Sequence, residues 1–367
     1  MLGCTRSPET AGPAAVPATE TAPASAGPAA ATTPTPASLQ ALPALAPRLR
    51  STVREKDDKG EPPGIERLFL SADGKRLAIS TRRTRNGLTG SQIWDIAGAP
   101  KRFLLSPGSI EAFSADGKWI VRGKGGQQMV ADAETGANLA DLPSPGAPVF
   151  FRPPGVVISL TGSTDWQKAA PLTVREFDAT TGISLGSAVA ATDNRVHASL
   201  VGKSAQHLVL GIQRANRVRV WDLFARTLVR EFPLSSEPPK GIVTWNGFAA
   251  SPDGKWLAVR QDVKPLAIHD ATTGAVVATL PAGVNAFDSL FLPDRPIYLT
   301  PSNIARADTS GTSVEVVVYD VSRKAFVAVL RGHDRPGLKL AVSGDGRTLA
   351  TGDEEGNILL WDTSEIK

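Results

Sequence analysis

Residues 343–362 read Ser-Gly-Asp-Gly-Arg-Thr-Leu-Ala-Thr-Gly-Asp-Glu-Glu-Gly-Asn-Ile-Leu-Leu-Trp-Asp. Ser343-Gly344-Asp345-Gly346 separates two short apolar runs and has the chemistry of a tight hairpin turn: a carboxylate for nearby N–H groups and a glycine free to take positive φ. Ile358-Leu359-Leu360-Trp361 then reads as a buried strand closed by Asp362.

Upstream, an Asp preceded by an apolar or aromatic residue closes a β-rich run six more times. The pairs are Trp94-Asp95, Ala131-Asp132, Phe177-Asp178, Trp221-Asp222, His269-Asp270 and Tyr319-Asp320. The steps between these aspartates run from 37 to 50 residues, which matches the ~40–45 residues of a four-stranded propeller blade. The Asp-Gly turn recurs as Ser71-Ala72-Asp73-Gly74, Ser114-Ala115-Asp116-Gly117 and Ser251-Pro252-Asp253-Gly254. A third landmark follows the closing Asp in Asp132-Ala133-Glu134-Thr135-Gly136, Asp178-Ala179-Thr180-Thr181-Gly182 and Asp270-Ala271-Thr272-Thr273-Gly274. There the Asp accepts from N–H groups two or three residues on and Gly turns the chain. Each unit is therefore strand a, Asp-Gly turn, strand b, loop, strand c, Asp turn, strand d. No stretch keeps a helical period.

The pattern over roughly residues 48–367 resembles the WD-repeat propeller family, in a bacterial type. The last unit carries it best: Gly332-His333, then Ser343 to Gly346, Leu349-Ala350-Thr351-Gly352, and Ile358 to Asp362. Units 1, 4 and 7 keep a literal Trp-Asp. The resemblance implies a structural tetrad of His, Ser or Thr, Asp and Trp, which maps onto His333, Thr351 and Trp361 with Glu355 at the Asp position, next to Asp362. It implies an all-β, seven-bladed propeller that works as a protein-interaction scaffold.

The chain ends five residues after Asp362, so a fourth strand for unit 7 is expected from the other end. Residues 48–54, which include Leu49-Arg50-Ser51-Thr52-Val53-Arg54, read like Thr227-Leu228-Val229-Arg230 and stand just before unit 1. Borrowing them fastens the ring and removes open sheet edges.

Ahead of this strand, Ala, Pro and Thr make up 27 of the 37 positions in 11–47. Such a stretch buries too little side chain to offset its ordering entropy, so 1–47 is expected to be a disordered tether. At its head Met1-Leu2-Gly3-Cys4 holds the one cysteine of the chain. It resembles the end of a bacterial lipoprotein signal, with Cys4 as the lipidated residue and a membrane tether in the cell envelope as the consequence. Three residues before Cys4 are shorter than a signal's basic and apolar regions; the alternative is a cytoplasmic protein.

Composition narrows the function. One cysteine excludes an intramolecular disulfide, a Cys-based zinc site and an iron–sulfur cluster. A net charge of +4 from 40 Lys+Arg and 36 Asp+Glu does not by itself call for nucleic acid. Three of the four histidines fall in structural slots: His269 in the Trp position before a closing Asp, His207 in the position of Trp256, and His333 in the tetrad. His197, at the start of a strand, is read as packing. No second His stands at metal-ligand spacing and no nucleophile constellation is present, so no enzyme, metal, cofactor or small-molecule substrate is expected. The turns put Gly directly after Asp, unlike sialidase Asp boxes. The Asp-Ala-x-Thr-Gly hairpins lack the Trp that quinoprotein repeats require.

In such a meander the d–a and b–c connections share one face and the short turns the other. Binding normally resides on long loops over a rigid scaffold. Expanded b–c loops are expected at 81–92, 162–171 and 303–313. Arg82, Arg83 and Arg85 crowd the first, and Trp166 with Lys168 occupy the second; these are the candidate anchors for a protein partner. The alternatives are a quinoprotein-like envelope-assembly lipoprotein, a degenerate propeller enzyme and a nucleic-acid-associated module.

Overall fold

The computed structural model describes residues 41–52, 64–81, 90–98, 101–105, 108–124, 127–143, 148–161, 171–192, 196–202, 205–213, 215–234, 245–261, 264–281, 284, 288–305 and 312–366. Seven sheets, each built on an antiparallel meander, follow one another along the chain. Blade 1 is Ile65–Leu70, Arg76–Thr81, Ser91–Asp95 and Lys101–Leu105; blade 2 is Ser109–Phe113, Trp119–Lys124, Gln127–Asp132 and Asn138–Leu142. Blade 3 is Val149–Arg152, Val156–Thr161, Leu172–Asp178 and Ser184–Ala191; blade 4 is Val196–Val201, His207–Ile212, Arg217–Asp222 and Thr227–Pro233. Blade 5 is Trp245–Ala250, Trp256–Gln261, Ala267–Asp270 and Val276–Thr279; blade 6 is Leu290–Phe291, Ile297–Ala305, Thr312–Asp320 and Ala325–Leu330. Blade 7 is Lys339–Val342, Thr348–Gly352 and Asn357–Asp362. The protein is an all-β seven-bladed propeller. No helix among the described residues is long and apolar enough to cross a membrane.

The two middle strands of a blade are packed on both faces, which is why they read as nearly continuous apolar runs rather than alternating ones. Arg76–Thr81 and Ser91–Asp95 are buried along almost their whole length, whereas Ser184–Ala191 at the outside of blade 3 is largely exposed. The core is correspondingly divided into seven clusters, one between each pair of neighbouring blades. The blade 7 to blade 1 cluster joins Ala341, Ala350, Ile358 and Leu360 to Ile65, Leu68, Leu77 and Trp94.

The repeated turns explain the repeated letters. In blade 1 Ser71 Oγ donates to Asp73 Oδ1 at 2.7 Å and accepts from Arg76 N at 3.0 Å, while Gly74 takes φ 67°. The same Ser-to-Asp bond is made by Ser114, Ser251 and Ser343 at 2.5–2.7 Å. At the other turn the closing Asp accepts from the backbone two or three residues on. Asp178 takes Thr180 N and Thr181 N, both at 2.9 Å, and Asp222 takes Phe224 N and Ala225 N, both at 2.8 Å. Such bonds favour the ionised carboxylate. They hold Asp132, Asp222 and Asp270 below the ordinary range; hydroxyls lead at Asp362, lowered chiefly by Ser364, and at Asp178, brought down to about 2 by Thr180 and Thr181.

Ring closure uses the N-terminal segment. Leu49–Thr52 lies antiparallel on Asn357–Asp362, with Leu49 opposite Leu360 and Thr52 opposite Asn357. The segment before it does more than tether: Ala44–Leu45 runs parallel to the outer strand of blade 6, level with Val329 and Leu330, and Val329 N donates to Pro43 O at 2.9 Å. Leu42 and Leu45 pack on the two clusters that flank blade 6. Two leucines within an Ala/Pro-rich stretch dock this segment next to the closing strand. The expected 303–313 loop is corrected: the ladder of blade 6 runs out to Ala305 opposite Thr312. The run from Thr312 to Val318 is rich in β-branched residues, which favour extended backbone.

Candidate functional site

On the face where the d–a and b–c connections emerge, blade 7 carries a closed hydrogen-bond chain. Trp361 Nε1 donates to Thr351 Oγ1 at 2.9 Å, Thr351 Oγ1 lies 2.7 Å from His333 Nε2, and His333 Nδ1 lies 2.9 Å from Asp353 Oδ2. With the imidazole proton on Nδ1, each donor has an acceptor along the chain. Asp353 also accepts from Glu355 N at 2.9 Å, Asn357 N at 3.0 Å and Asn357 Nδ2, which lies 3.2 Å from Oδ1 and 3.0 Å from Oδ2. Burial alone would push this carboxyl up. The bonds from His333 and Asn357 outweigh it and hold the group below its ordinary value. All four side chains of the chain are buried.

The fourth member is therefore Asp353 and not Glu355. Glu355 lies two residues further round the turn and pairs with Arg335 at 2.6 Å in an exposed position. The signal was present in the sequence: a turn that returns at Gly356 is opened by an Asp whose side chain caps the following N–H groups. A longer Glu in mid-turn cannot reach back into the core. Asn357 was missed as well, having no place in the four-residue pattern.

Around the same face, the inner strands bring charges together across blade boundaries. Arg67 of blade 1 pairs with Glu111 of blade 2, and Lys339 of blade 7 pairs with Asp288 at 2.5 Å. His197 of blade 4 stacks on Trp245 of blade 5, with ring centroids 6.1 Å apart and planes 8° from parallel, and lies beside Phe248. Its Nε2 lies 2.9 Å from Gln213 Nε2 and 3.2 Å from Trp245 O, and burial pushes its pKa down. His269 is buried against Gly274 O at 3.0 Å, its pKa also lowered by burial, and His207 lies 3.8 Å from Asp222. Among the described residues no group of three or more His, Cys, Asp or Glu could hold a metal ion.

The opposite face holds a second polar network. Arg152 of blade 3 is buried and pairs with Glu176 Oε1 at 3.0 Å, while Arg226 of blade 4 reaches Glu176 Oε2 at 2.9 Å. The Arg152 guanidinium lies 4.4 Å over the ring of the exposed Phe224. These contacts clamp blade 4 onto blade 3.

Cys4, Arg82, Arg83, Arg85, Trp166 and Lys168 lie outside the described residues. Asp362 closes the last strand and accepts from Ser364 N at 2.9 Å, capping the short helix Thr363–Glu365.

The family model of the WD domain, G-beta repeat, matches residues 324–362, which span the outer strand of blade 6 and the three C-terminal strands of blade 7. No curated protein matches the sequence. Among solved structures, a chain from a crystal structure of a mitotic checkpoint complex is similar with a TM-score of 0.60 at 18% identity, covering 86% of this chain and 95% of that one. At that identity the likeness speaks to the fold. The chain therefore folds as a seven-bladed β-propeller closed by an N-terminal strand, and its last blade, with the buried tetrad, matches the WD domain, G-beta repeat.

Proposed function

We propose that the protein is a non-catalytic scaffold that binds a protein partner through the face bearing the d–a and b–c connections. The observation that carries this reading is the difference between the two faces. On the turn face the Ser-x-Asp-Gly and Asp-x-x-Thr-Gly side chains are spent on one another and on their own backbones. On the other face the connections are irregular in length and sequence; the inner strands beneath them present Arg67, Glu111 and Lys339, and Asp288 precedes the inner strand of blade 6. A rigid ring with variable loops on one side is suited to recognition. The similar chain from a mitotic checkpoint complex belongs to a protein assembly, which agrees with a partner-binding role.

Within that face Arg82, Arg83, Arg85, Trp166 and Lys168 are the proposed anchors. Arg and Trp are the residue types enriched where interfaces hold most of their energy. Cys4 is the proposed attachment point for a membrane tether. The test is quantitative affinity capture with the full chain, with R82S/R83S/R85S and with W166A. Loss of the same partner in a variant of unchanged thermal stability supports the loop face. Retention of that partner by both variants refutes these anchors.

A further inference from the structure

On the turn face, the turns that join the first and second strands of neighbouring blades are stitched together backbone to backbone. Ala72 N donates to Ala115 O at 2.7 Å from blade 1 to blade 2, Gly202 N to Pro252 O at 2.6 Å from blade 4 to blade 5, and Asp345 N to Ala72 O at 3.0 Å from blade 7 to blade 1. Blades 3, 5 and 6 carry Pro153, Pro252 and Pro293 at the donor position, and proline has no N–H to give. Blade 2 is the exception. Ala115 has an N–H and blade 3 offers Pro153 O at the matching place, yet no bond joins them, and neither atom has another partner among the described residues.

At this joint the two turns stand apart around an open cavity of about 120 Å³. Trp119, Phe151, Pro153 and Pro154 give it apolar walls. The Trp119 ring is seated against Gly155, where a Cβ would come within 3.1 Å of it, and both aromatic side chains pack on the cluster between blades 2 and 3. The side chains of Ser114 and Asp116 at the rim bond to each other and to their own turn. Arg152, also at the cavity, is answered by Glu176 at 3.0 Å. What the cleft leaves open is one backbone donor on its blade 2 lip and one backbone acceptor on its blade 3 lip.

We propose that this cleft binds an extended peptide of a protein partner, which puts one aliphatic side chain into the cavity while its backbone bridges Ala115 N–H and Pro153 C=O. Size selects the side chain. An apolar cavity of about 150 Å³ admits benzene, so this one takes a single residue such as leucine. The unmade bond selects the backbone: a free donor and a free acceptor call for a ligand with one of each, and an extended peptide supplies both, as when a strand adds to a sheet edge. A hydrocarbon chain would fill the cavity and leave both groups unanswered, and a carboxylate side chain would lose its water among apolar walls. The cleft lies on the face opposite the loops and is independent of the loop-face reading.

Nuclear magnetic resonance of the isotopically labelled full chain, titrated with the capped tripeptide N-acetyl-Ala-Leu-Ala-amide, tests it. The expected result is a saturable shift of the Trp119 indole and Ala115 amide signals with a Kd of roughly 1 mM, and none with N-acetyl-Ala-Asp-Ala-amide. Ala115→Pro removes the donor in a turn that already holds Ser251-Pro252 in blade 5. Read on the Trp119 indole, it is expected to weaken binding about 3–10-fold, the net value of one hydrogen bond. An ester analogue of the peptide, with oxygen in place of the leucine N–H, tests the Pro153 side on the unchanged protein and is expected to weaken binding by a similar factor. No shift of either signal up to about 10 mM leucine peptide, ten times the expected Kd, overturns the proposal. So does equal binding of the aspartate peptide, or leucine-peptide binding that ignores both the Ala115→Pro and the ester changes.

Discussion

Leu45 lies level with Leu330 on blade 6, and four residues later Leu49 lies opposite Leu360 on blade 7. One short segment thus covers the outer edge of the sixth blade and completes the seventh. The two leucines that bracket its first part, Leu42 and Leu45, are partly buried against both neighbouring clusters.

Truncations separate the two jobs. Removing residues 1–40 is expected to leave the melting temperature within a degree or two of the full chain. Removing 1–46 strips Leu42 and Leu45 from blade 6 and is expected to cost about 2–3 kcal/mol, the scale for losing two half-buried leucines. Removing 1–54 also opens the ring and exposes a blade edge, with aggregation as the consequence. Calorimetry with light scattering reads all three, and equal melting for the first and last would contradict the closure described here.

The tetrad gives a sharper contrast, between two acidic residues two positions apart. Asp353→Ala leaves His333 and the Asn357 amide without their buried acceptor, and removing one partner of such a set costs about 3 kcal/mol or more. Glu355→Ala breaks only an exposed pair with Arg335, worth about 0.5 kcal/mol. Trp361→Ala loses a large side chain packed between blades 6 and 7 and is expected to cost about 3–5 kcal/mol. Urea unfolding of the three variants decides the assignment: a Glu355→Ala loss as large as that of Asp353→Ala would return Glu355 to the tetrad.

These residues also show what the sequence made legible. The seven closing aspartates and the Ser-x-Asp-Gly turns were readable because their side chains bond to backbone within five residues, so the whole interaction lies inside a short window. Leu49 on Leu360 was readable because an incomplete last blade demanded a strand. Arg152, Glu176 and Arg226 were not, since they stand up to 74 positions apart and no local pattern marks a clamp between blades. Leu42 and Leu45 were hidden by their Ala/Pro-rich surroundings, where composition outweighs two residues in any count.

Stability should fall in two stages on acidification. His197 and His269 have folded pKa values lowered by burial, so the unfolded chain binds more protons than the folded one below about pH 6.5. Their contribution is intact above that pH and is lost as pH falls through the lowered folded values. Asp132, Asp178, Asp222, Asp270 and Asp362 add a second loss, beginning near the ordinary carboxylate value of 3.8 and ending, for Asp178, near 2. Denaturant unfolding from pH 8 to pH 2 is expected to be flat above about 7, with a shallow decline and then a steeper one. His269→Gln should flatten the first stage alone, and Asp178→Asn should reduce the second.

The clamp between blades 3 and 4 yields the last prediction. Glu176 is buried and answers two guanidiniums at once, Arg152 at 3.0 Å and Arg226 at 2.9 Å. Arg152 is itself buried, so Glu176→Gln leaves a cation in the core with a neutral partner, and a loss of about 3–5 kcal/mol is expected. Arg226 is more exposed, and water can replace part of what Arg226→Ala removes, which limits that cost to about 1–2 kcal/mol. Removing both charges of the buried pair together, as Arg152→Met with Glu176→Gln, should recover part of the Glu176→Gln loss, because the only cation left without the carboxylate is the more exposed Arg226. A double variant that unfolds as if the two losses simply added would show that Arg152 and Glu176 are not energetically coupled.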